Sequence, residues 1–131
     1  MNYINYLFYG IPYTSKTNYN FQIQYPLNLR KEEATKIRNK YPTKIPIIIE
    51  KSEPSNTPIL KKEKYLIEEN ITVGGFIHHL RELMDLGNEF VLYLFINGIY
   101  PPKTNEKMRD IYNTYKEKDE FLYITYKILD H

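Results

Sequence analysis

Two adjacent histidines, His78 and His79, are the residues in this sequence that would first suggest catalysis or metal binding. Neighbouring residues on a helix point about 100° apart, so this pair cannot ligate one metal ion together. The sequence contains no cysteine, which removes thiolate nucleophiles, and it has no glycine-rich phosphate loop. We therefore predict no catalytic residue, no metal site and no cofactor, and the sequence argues against an enzyme.

A second group of residues that could bind a ligand is the lysine pair Lys62 and Lys64, which borders a short apolar run. Lysines on an edge strand discourage self-association, which is one interpretation of this pair. The same lysines would also attract an acidic ligand, because residues 25–64 carry ten basic and five acidic side chains. Residues 65–131 carry seven basic and eleven acidic ones, which predicts an acidic face elsewhere. The net charge of +2 is too small for a general polyanion or nucleic-acid binder.

A length of 131 residues suits one domain around one hydrophobic core. No run of about 18 to 20 apolar residues is present, so no membrane-spanning helix is predicted. The start of the sequence lacks the basic segment and apolar core of a secretory signal. Together with the absence of cysteine, these features favour the cytosol or the nucleus.

The elements that would position the lysines are a helix and a hairpin. Residues 29–41 predict a charged helix with a narrow apolar stripe. The β-branched run at 44–51 predicts a buried strand, and turn residues at 52–58 connect it to a second strand at 64–67. Because the second strand is short and carries lysine, we expect it to be an open edge of the sheet.

The rest of the chain alternates helices and strands. The patterns predict a helix capped by Thr72 and ending near Gly87, a central or near-central strand at 90–96, a short helix at 108–115 and a last strand at 121–126. The predicted fold class is α+β, in which helices cover one four-stranded mixed sheet.

This order of elements is that of the ubiquitin-like β-grasp with an added N-terminal helical segment. Five stretches carry a closer resemblance: YPTKIPIIIEK at 41–51, KYLI at 64–67, ITVG at 71–74, LFIN at 94–97, and IY at 111–112 with FLYITY at 121–126. Through them the chain resembles the ubiquitin-like autophagy modifiers, the family of GABARAP and of microtubule-associated-protein light chain three. The resemblance implies a modifier domain at residues 25–126 and a tail at 127–131. Residues 1–24 are rich in Tyr and Asn and have no sustained helical or strand period, which predicts a mobile or loosely docked extension.

The resemblance also implies a module that binds peptides of the form aromatic-x-x-aliphatic with acidic flanks. Such a peptide would add as a strand to the edge at 64–67, and Lys62 and Lys64 would contact its backbone and acidic flanks. By the family's register, the aromatic pocket is lined by Glu33, Ile37, Pro46, Ile48, Lys64, Leu66 and Phe121. The aliphatic pocket is lined by Tyr65, Ile67, Ile71, Phe76, His79 and Leu80. For Ile48, Phe76 and Leu80, packing in the core is an alternative role.

Three residues depart from the family's pattern. Glu68 stands where proline is usual, and Leu83 stands where a basic residue is usual beside the aliphatic pocket, so partner preference is expected to differ. Glu120 replaces a glycine before Phe121, so the turn there must either avoid a positive φ or accept strain.

The family's chemistry uses a glycine seven residues after the tyrosine that corresponds to Tyr126. The sequence ends five residues after Tyr126, with no lipid-conjugation glycine present, so we expect the 131-residue chain as printed not to be conjugated. The resemblance otherwise implies conjugation to phosphatidylethanolamine and a location in the cytoplasm and on autophagosomal membranes. Either the chain is cut two residues short, or its tail is atypical and the protein acts without conjugation. In the second case it is a non-conjugating β-grasp scaffold in trafficking or on the cytoskeleton.

The partners that the resemblance implies are proteins of autophagy. They are receptors and adaptors that carry the peptide motif, the activating and conjugating enzymes, a processing cysteine protease and, through the lipid, the membrane. No nucleic acid is expected, and the protein is expected to be a monomer in solution.

Overall fold

The computed structural model describes residues 2–6, 12–16, 19–52 and 60–130. In chain order the elements are β1 (Asn2–Tyr6), β2 (Pro12–Lys16), α1 (Asn20–Gln24), α2 (Leu27–Lys40), β3 (Lys44–Lys51), β4 (Lys64–Glu68), α3 (Val73–Met84), β5 (Phe90–Ile96), α4 (Met108–Tyr115) and β6 (Leu122–Asp130). None of the helices within these ranges is long and apolar enough to cross a membrane.

The main sheet has four strands in the order β4-β3-β6-β5. Strands β3 and β6 are parallel, whereas β4 and β5 run antiparallel to their neighbours. This arrangement confirms the predicted four-stranded mixed sheet and places β4 at an edge. Strands β1 and β2 form a separate antiparallel pair.

The expectation that β5 is central or near-central is wrong, because β5 is the other edge strand and pairs with β6 alone among the described strands. Its sequence is apolar for a different reason. Leu92, Leu94 and Ile96 alternate into the main core, while Phe95 is buried as well. An edge strand can therefore be buried on both faces when other chain segments cover it.

Strand β3 is buried on both sides, because other elements cover both faces of the sheet. Ile45, Ile47 and Ile49 belong to the main core, which also contains residues of α3 and α4. Ile48 belongs to a second buried cluster with Tyr19, Phe21, Ala34, Phe121 and Tyr123, which includes residues of α1 and α2. Burial on both faces explains why the strand reads as a continuous β-branched run.

The N-terminal boundary predicted at residue 25 needs correction. Residues 20–24 form α1, the buried Tyr19 packs against Tyr123 of β6, and the buried Phe21 packs against Phe121, just before β6. The side chain of Glu50 accepts a hydrogen bond from the backbone N–H of Asn20 at 2.9 Å. Residues 19–24 are therefore part of the folded domain, because burying two aromatic rings fixes this short helix on the sheet.

The predicted tail also needs correction. Strand β6 continues to Asp130, and residues 127–130 pair with residues 90–93 of β5. Ile128 is buried in the main core, which supplies the apolar contact that keeps this end in the sheet. Its last residue, His131, lies outside the described ranges.

Helix α3 begins as predicted, since the Thr72 hydroxyl accepts a hydrogen bond from the backbone N–H of Gly75 at 3.1 Å. The helix ends at Met84, before Gly87, and its C-terminal capping residue Asp85 is in the left-handed conformation with φ of 52°. Aspartate adopts this conformation more readily than most residues with a side chain.

The turn before β6 adopts the strained alternative that the sequence left open. Glu120 has φ of 71°, in the region that favours glycine. We expect Glu120→Gly to raise the free energy of unfolding by about 1 kcal/mol, because it relieves this strain. Chemical denaturation would measure the change. The matched control, Glu117→Gly, is at a position without positive φ and should give no gain; equal stabilisation by both would contradict the explanation.

Candidate peptide-binding site

The edge strand β4 leaves one side of its backbone free of strand partners in the described part of the chain. At its two ends, the carbonyl of Glu63 accepts from the N–H of Ile49 and the N–H of Glu69 donates to Thr43. Backbone bonds to an antiparallel neighbour recur at every second residue. The N–H and C=O groups of the intervening residues, including Lys64 and Leu66, therefore point toward the open edge.

The side chains of β4 alternate between the two faces of the sheet. Lys64 is opposite Ile48 and Leu66 is opposite Pro46, which puts both on the face covered by α1 and α2. Tyr65 and Ile67 lie on the opposite face, with the main core. Because strand neighbours point to opposite faces, one strand can serve two separate grooves.

The residues predicted for the aromatic pocket lie around the second buried cluster. Ile48 and Phe121 belong to that cluster, and Pro46 is also buried. Leu66 is 37% exposed at the strand edge, and Ile37 of α2 is half-buried. The ammonium of Lys64 is hydrogen bonded to the carboxylate of Glu33, which joins β4 to α2 above the sheet.

Helix α1 contributes residues to this region that the sequence interpretation missed. The Phe21 ring lies 4.9 Å from the ring of Phe121, centre to centre, and Lys64 Nζ lies 5.2 Å from the Phe21 ring centre. A cavity of about 430 Å³ is lined by Phe21, Gln24, Tyr25, Ile48 and Lys61 to Lys64. Phe21 and Tyr25 are four residues apart, the spacing of one helix face, but a helix of five residues is too short for this spacing to form a recognisable pattern.

A second groove lies beside β4, includes residues of both faces of the strand and reaches α3. It has a volume of about 400 Å³ and is lined by Leu60, Lys61, Lys62, Lys64, Tyr65, Leu66 and Leu83. Leu83, at 50% exposure, is its one residue from α3. Burial raises the pKa of Tyr65, an effect that a hydrogen bond with the backbone of Lys62 opposes.

The residues predicted for the aliphatic pocket are divided between this groove and the core. Phe76 and Leu80 are fully buried and Ile67 is 7% exposed, while Ile71 is packed against the same core. Tyr65 lines the groove, and His79 is exposed on α3. Sequence interpretation missed Leu60, for which an apolar residue just before the lysines was the signal.

Charge distinguishes the two grooves from ordinary surface depressions. Lys61, Lys62 and Lys64 line both of them, so the approach to β4 is basic on either side. Within the described ranges, no group of three or more histidine, cysteine or acidic residues could hold a metal ion. The arrangement offers unpaired backbone groups, two partly apolar grooves and a cationic border, which suits an extended acidic peptide.

A buried ionic cluster supports the floor of the site. Asp119 is 1% exposed and accepts hydrogen bonds from Arg30 at 2.9 Å, from the N–H of Phe121 at 2.9 Å and from the Tyr123 hydroxyl. Arg30 also donates to the carbonyls of Gln22 and Tyr25. Burial, followed by the bond to Asp119, raises the pKa of Tyr123. The cluster therefore ties α1 and α2 to the turn before β6.

Comparison with known proteins identifies the family of this chain. Residues 29–130 match the family described as "Autophagy protein Atg8 ubiquitin like". The chain belongs to the Atg8 family. It is a ubiquitin-like autophagy modifier, which confirms the resemblance drawn from the sequence.

Relatives support the assignment over most of the chain. Autophagy-related protein 8e of Arabidopsis thaliana is 42% identical over 106 residues, which cover 81% of this chain and 86% of that protein. Autophagy-related protein 8 of Dictyostelium discoideum is 44% identical over 107 residues, with coverages of 81% and 87%. Members of the family are modifiers rather than enzymes.

Solved structures show the same fold. Trypanosoma brucei ATG8 superposes with a TM-score of 0.79 at 31% identity, covering 86% of this chain and 97% of that one. Plasmodium falciparum Atg8, in complex with a Plasmodium falciparum Atg3 peptide, superposes with a TM-score of 0.75 at 36% identity, with coverages of 84% and 96%. The ubiquitin-like fold class predicted from the sequence is confirmed.

Proposed function

We propose that this Atg8-family protein recruits receptors and adaptors on autophagosomal membranes, and that a form of the chain that ends in glycine is conjugated there to phosphatidylethanolamine. Recruitment uses peptides of the form aromatic-x-x-aliphatic, which add as a strand to β4. The observation that carries the proposal is the edge position of β4 between two grooves bordered by the same three lysines. Strand addition supplies main-chain hydrogen bonds, and alternate side chains enter opposite grooves.

The aromatic residue of the peptide would bind on the face of α1 and α2. Its pocket is proposed to include Glu33, Ile37 and Leu66 around the floor of Ile48 and Phe121, and to open when the Lys64–Glu33 pair separates. Both partners of that pair are more than one third exposed, so their separation costs little. Phe21 would form a further aromatic wall.

The aliphatic residue would bind on the face of α3. Tyr65 and Ile71 are partly buried against the main core, so they can border a pocket whose base is formed by Ile67, Phe76 and Leu80. His79 is exposed on the same helix and would lie at the rim. Acidic residues that precede the aromatic residue would meet Lys61 and Lys62.

Binding of a synthetic peptide tests the proposed recruitment. An acidic-flanked aromatic-x-x-aliphatic peptide should bind with a Kd on the order of micromolar, because two small anchors bury less surface than a standard interface. Isothermal titration calorimetry would give the Kd, and amide shifts would map contacts to residues 47–48 and 61–67. A peptide with both anchors replaced by alanine is the control, and equal binding of the two would refute the motif.

Conjugating enzymes are proposed as a second class of partner. The solved structure of the Plasmodium falciparum relative is a complex with an Atg3 peptide, and this chain has the same fold. Activating enzymes and a processing cysteine protease follow from the same proposed chemistry. The alternative of a non-conjugating scaffold keeps peptide binding but dispenses with these enzymes.

A reconstituted lipidation reaction distinguishes the two possibilities. The 131-residue polypeptide has no glycine after Gly98, so we expect it to remain unmodified. A version extended beyond His131 by Phe-Gly should acquire phosphatidylethanolamine, read as a gel shift and a mass increase. The matched control carries Phe-Ala and should not react. If the Phe-Gly version also fails while still binding peptide, the scaffold alternative is favoured.

A further inference from the structure

We infer that the end of strand β6, residues 127–130, is a latch that must detach from β5 before a glycine-ended form of this chain can be conjugated. This inference rests on the proposed conjugation and specifies how it is regulated. We call these four residues the C-terminal latch. Strand β6 stays paired with β5 as far as Asp130, so the latch is part of the sheet.

The C-terminal latch is held by one neighbouring strand. Its residues lie opposite residues 90–93 of β5. The pairing of β6 with β3, in contrast, ends at Tyr126, opposite Lys51. Detachment therefore breaks one row of strand hydrogen bonds and leaves the pairing of β3 with β6 intact. Local openings of this kind require less free energy than global unfolding.

One side chain anchors the C-terminal latch. Ile128 is 6% exposed and belongs to the main core, opposite the buried Leu92. Of the other three residues, Lys127 and Leu129 are half-buried and Asp130 is exposed. Because one large apolar side chain supplies most of the buried apolar surface, the stability of the latch depends chiefly on Ile128.

The turn before β5 lies beside the end of the C-terminal latch. Asp130 is opposite Phe90, which directly follows this turn. Arg81 donates hydrogen bonds to the carbonyls of Gly87 and Phe90, each at 2.9 Å, and so ties the turn to α3. With the latch closed, the chain therefore leaves the sheet next to a segment that is held in place.

Chain length decides whether a terminal glycine can react while the C-terminal latch is closed. In a version extended by Phe-Gly, the glycine lies three residues beyond Asp130, and three extended residues span at most about 10 Å. With the latch open, seven residues follow Tyr126 and span at most about 24 Å. An enzyme channel encloses the end of a chain on all sides, which residues paired with β5 do not allow. The open form is therefore the reactive one.

The conjugation rate then depends on the open fraction. When a reaction requires a minor conformation, its apparent efficiency is the intrinsic efficiency multiplied by the fraction of molecules in that conformation. The Phe-Gly version should accordingly react slowly. Any change that weakens the C-terminal latch should accelerate the reaction, until nearly all molecules are open.

The initial rate of reconstituted lipidation, with the conjugating enzyme limiting, tests this dependence. All proteins compared end in Phe-Gly. Ile128→Ala should raise the rate at least about fivefold over the parent, because it removes the anchoring side chain. The matched control Ile111→Ala makes the same change at a core residue of α4 and should alter the rate less than about twofold.

A flexible spacer gives an independent test that leaves the folded domain unchanged. Gly-Ser-Gly-Ser inserted between His131 and Phe-Gly adds up to about 14 Å of chain. This version should also react at least about fivefold faster than the parent, since it supplies the missing reach. Adding Ile128→Ala to the spacer version should give less than about twofold further gain, because both changes relieve the same limitation.

Hydrogen exchange reports on the C-terminal latch directly. The Tyr126 carbonyl accepts from Ser52 on the β3 side, so Leu129, an odd number of residues later, directs its N–H to β5. In the 131-residue protein, Ile128→Ala should speed exchange of the Leu129 amide at least about tenfold. Ile111→Ala should change it less than about twofold under the same conditions.

The possible outcomes are distinct. Equal rates for the parent and Ile128→Ala, equal acceleration by Ile111→Ala, full additivity with the spacer, or unchanged exchange at Leu129 would each overturn the latch while the proposed conjugation stands. If none of the glycine-ended forms reacts, the proposed conjugation itself is contradicted and the inference falls with it.

Discussion

Replacing Asp119 with alanine is expected to lower the free energy of unfolding by about 3 to 5 kcal/mol. The carboxylate is 1% exposed and accepts from Arg30, Tyr123 and the backbone of Phe121, so its removal leaves two buried donors and the partly buried Arg30 without their acceptor. Chemical denaturation followed by far-ultraviolet circular dichroism would measure the loss.

The same variant should loosen α1, because Arg30 also binds the carbonyls of Gln22 and Tyr25. We therefore expect faster hydrogen exchange at residues 20–25 even under conditions where the sheet remains folded. The matched control is Asp110→Ala, whose side chain is 69% exposed and whose change should stay within about 0.5 kcal/mol. A loss for Asp119→Ala no larger than for Asp110→Ala would contradict the structural role of the cluster.

Leu66→Pro is expected to weaken binding of the motif peptide by at least about thirtyfold. Proline has no N–H, and at this position the N–H points to the open edge rather than to β3. The substitution removes the apolar side chain together with a hydrogen bond to the peptide, each worth roughly 1 kcal/mol of binding. Calorimetry with the acidic-flanked peptide would measure the loss.

Two comparisons isolate the backbone contribution. Leu66→Ala removes only the side chain and should cost about tenfold or less. Tyr65→Pro removes an N–H that pairs with β3, so it should destabilise the fold, whereas Leu66→Pro should leave the strand in place. If Leu66→Ala and Leu66→Pro weaken binding equally, the peptide does not use this edge of β4.

The order of elements could be predicted because local patterns carry it. The β-branched run of β3, the Thr72 cap and the helical spacing in α3 each identify one element without knowledge of the others. The position of β5 could not be predicted in the same way. An apolar run reports burial on both faces, and such burial arises for a paired central strand and for a covered edge strand alike.

The ends of the domain also could not be predicted from local sequence patterns. Helix α1 has five residues, too few for a periodic signal, and it is fixed by contacts of Tyr19 and Phe21 with residues about one hundred positions later. Strand β6 extends past Tyr126 because Ile128 packs in the main core, against residues of other elements. Both features depend on tertiary packing.

The candidate site was predictable where it depends on strand alternation. The edge position of β4 and the opposite faces of Leu66 and Ile67 follow from a short strand with lysines and from the two-residue period. The contributions of Phe21 and Leu60 were not predictable, because these residues come from segments that contact β4 only in the folded chain.

Hydrogen exchange at the amides of β4 is the most direct measurement of the central claim, that partner peptides add to this strand. In the free protein, the Lys64 and Leu66 amides should exchange quickly, while the Tyr65 and Ile67 amides, which face β3, should be protected. Saturating motif peptide should slow exchange at Lys64 and Leu66 by at least about tenfold and change the other two much less. Unchanged exchange at Lys64 and Leu66 in the fully bound protein would contradict strand addition at β4.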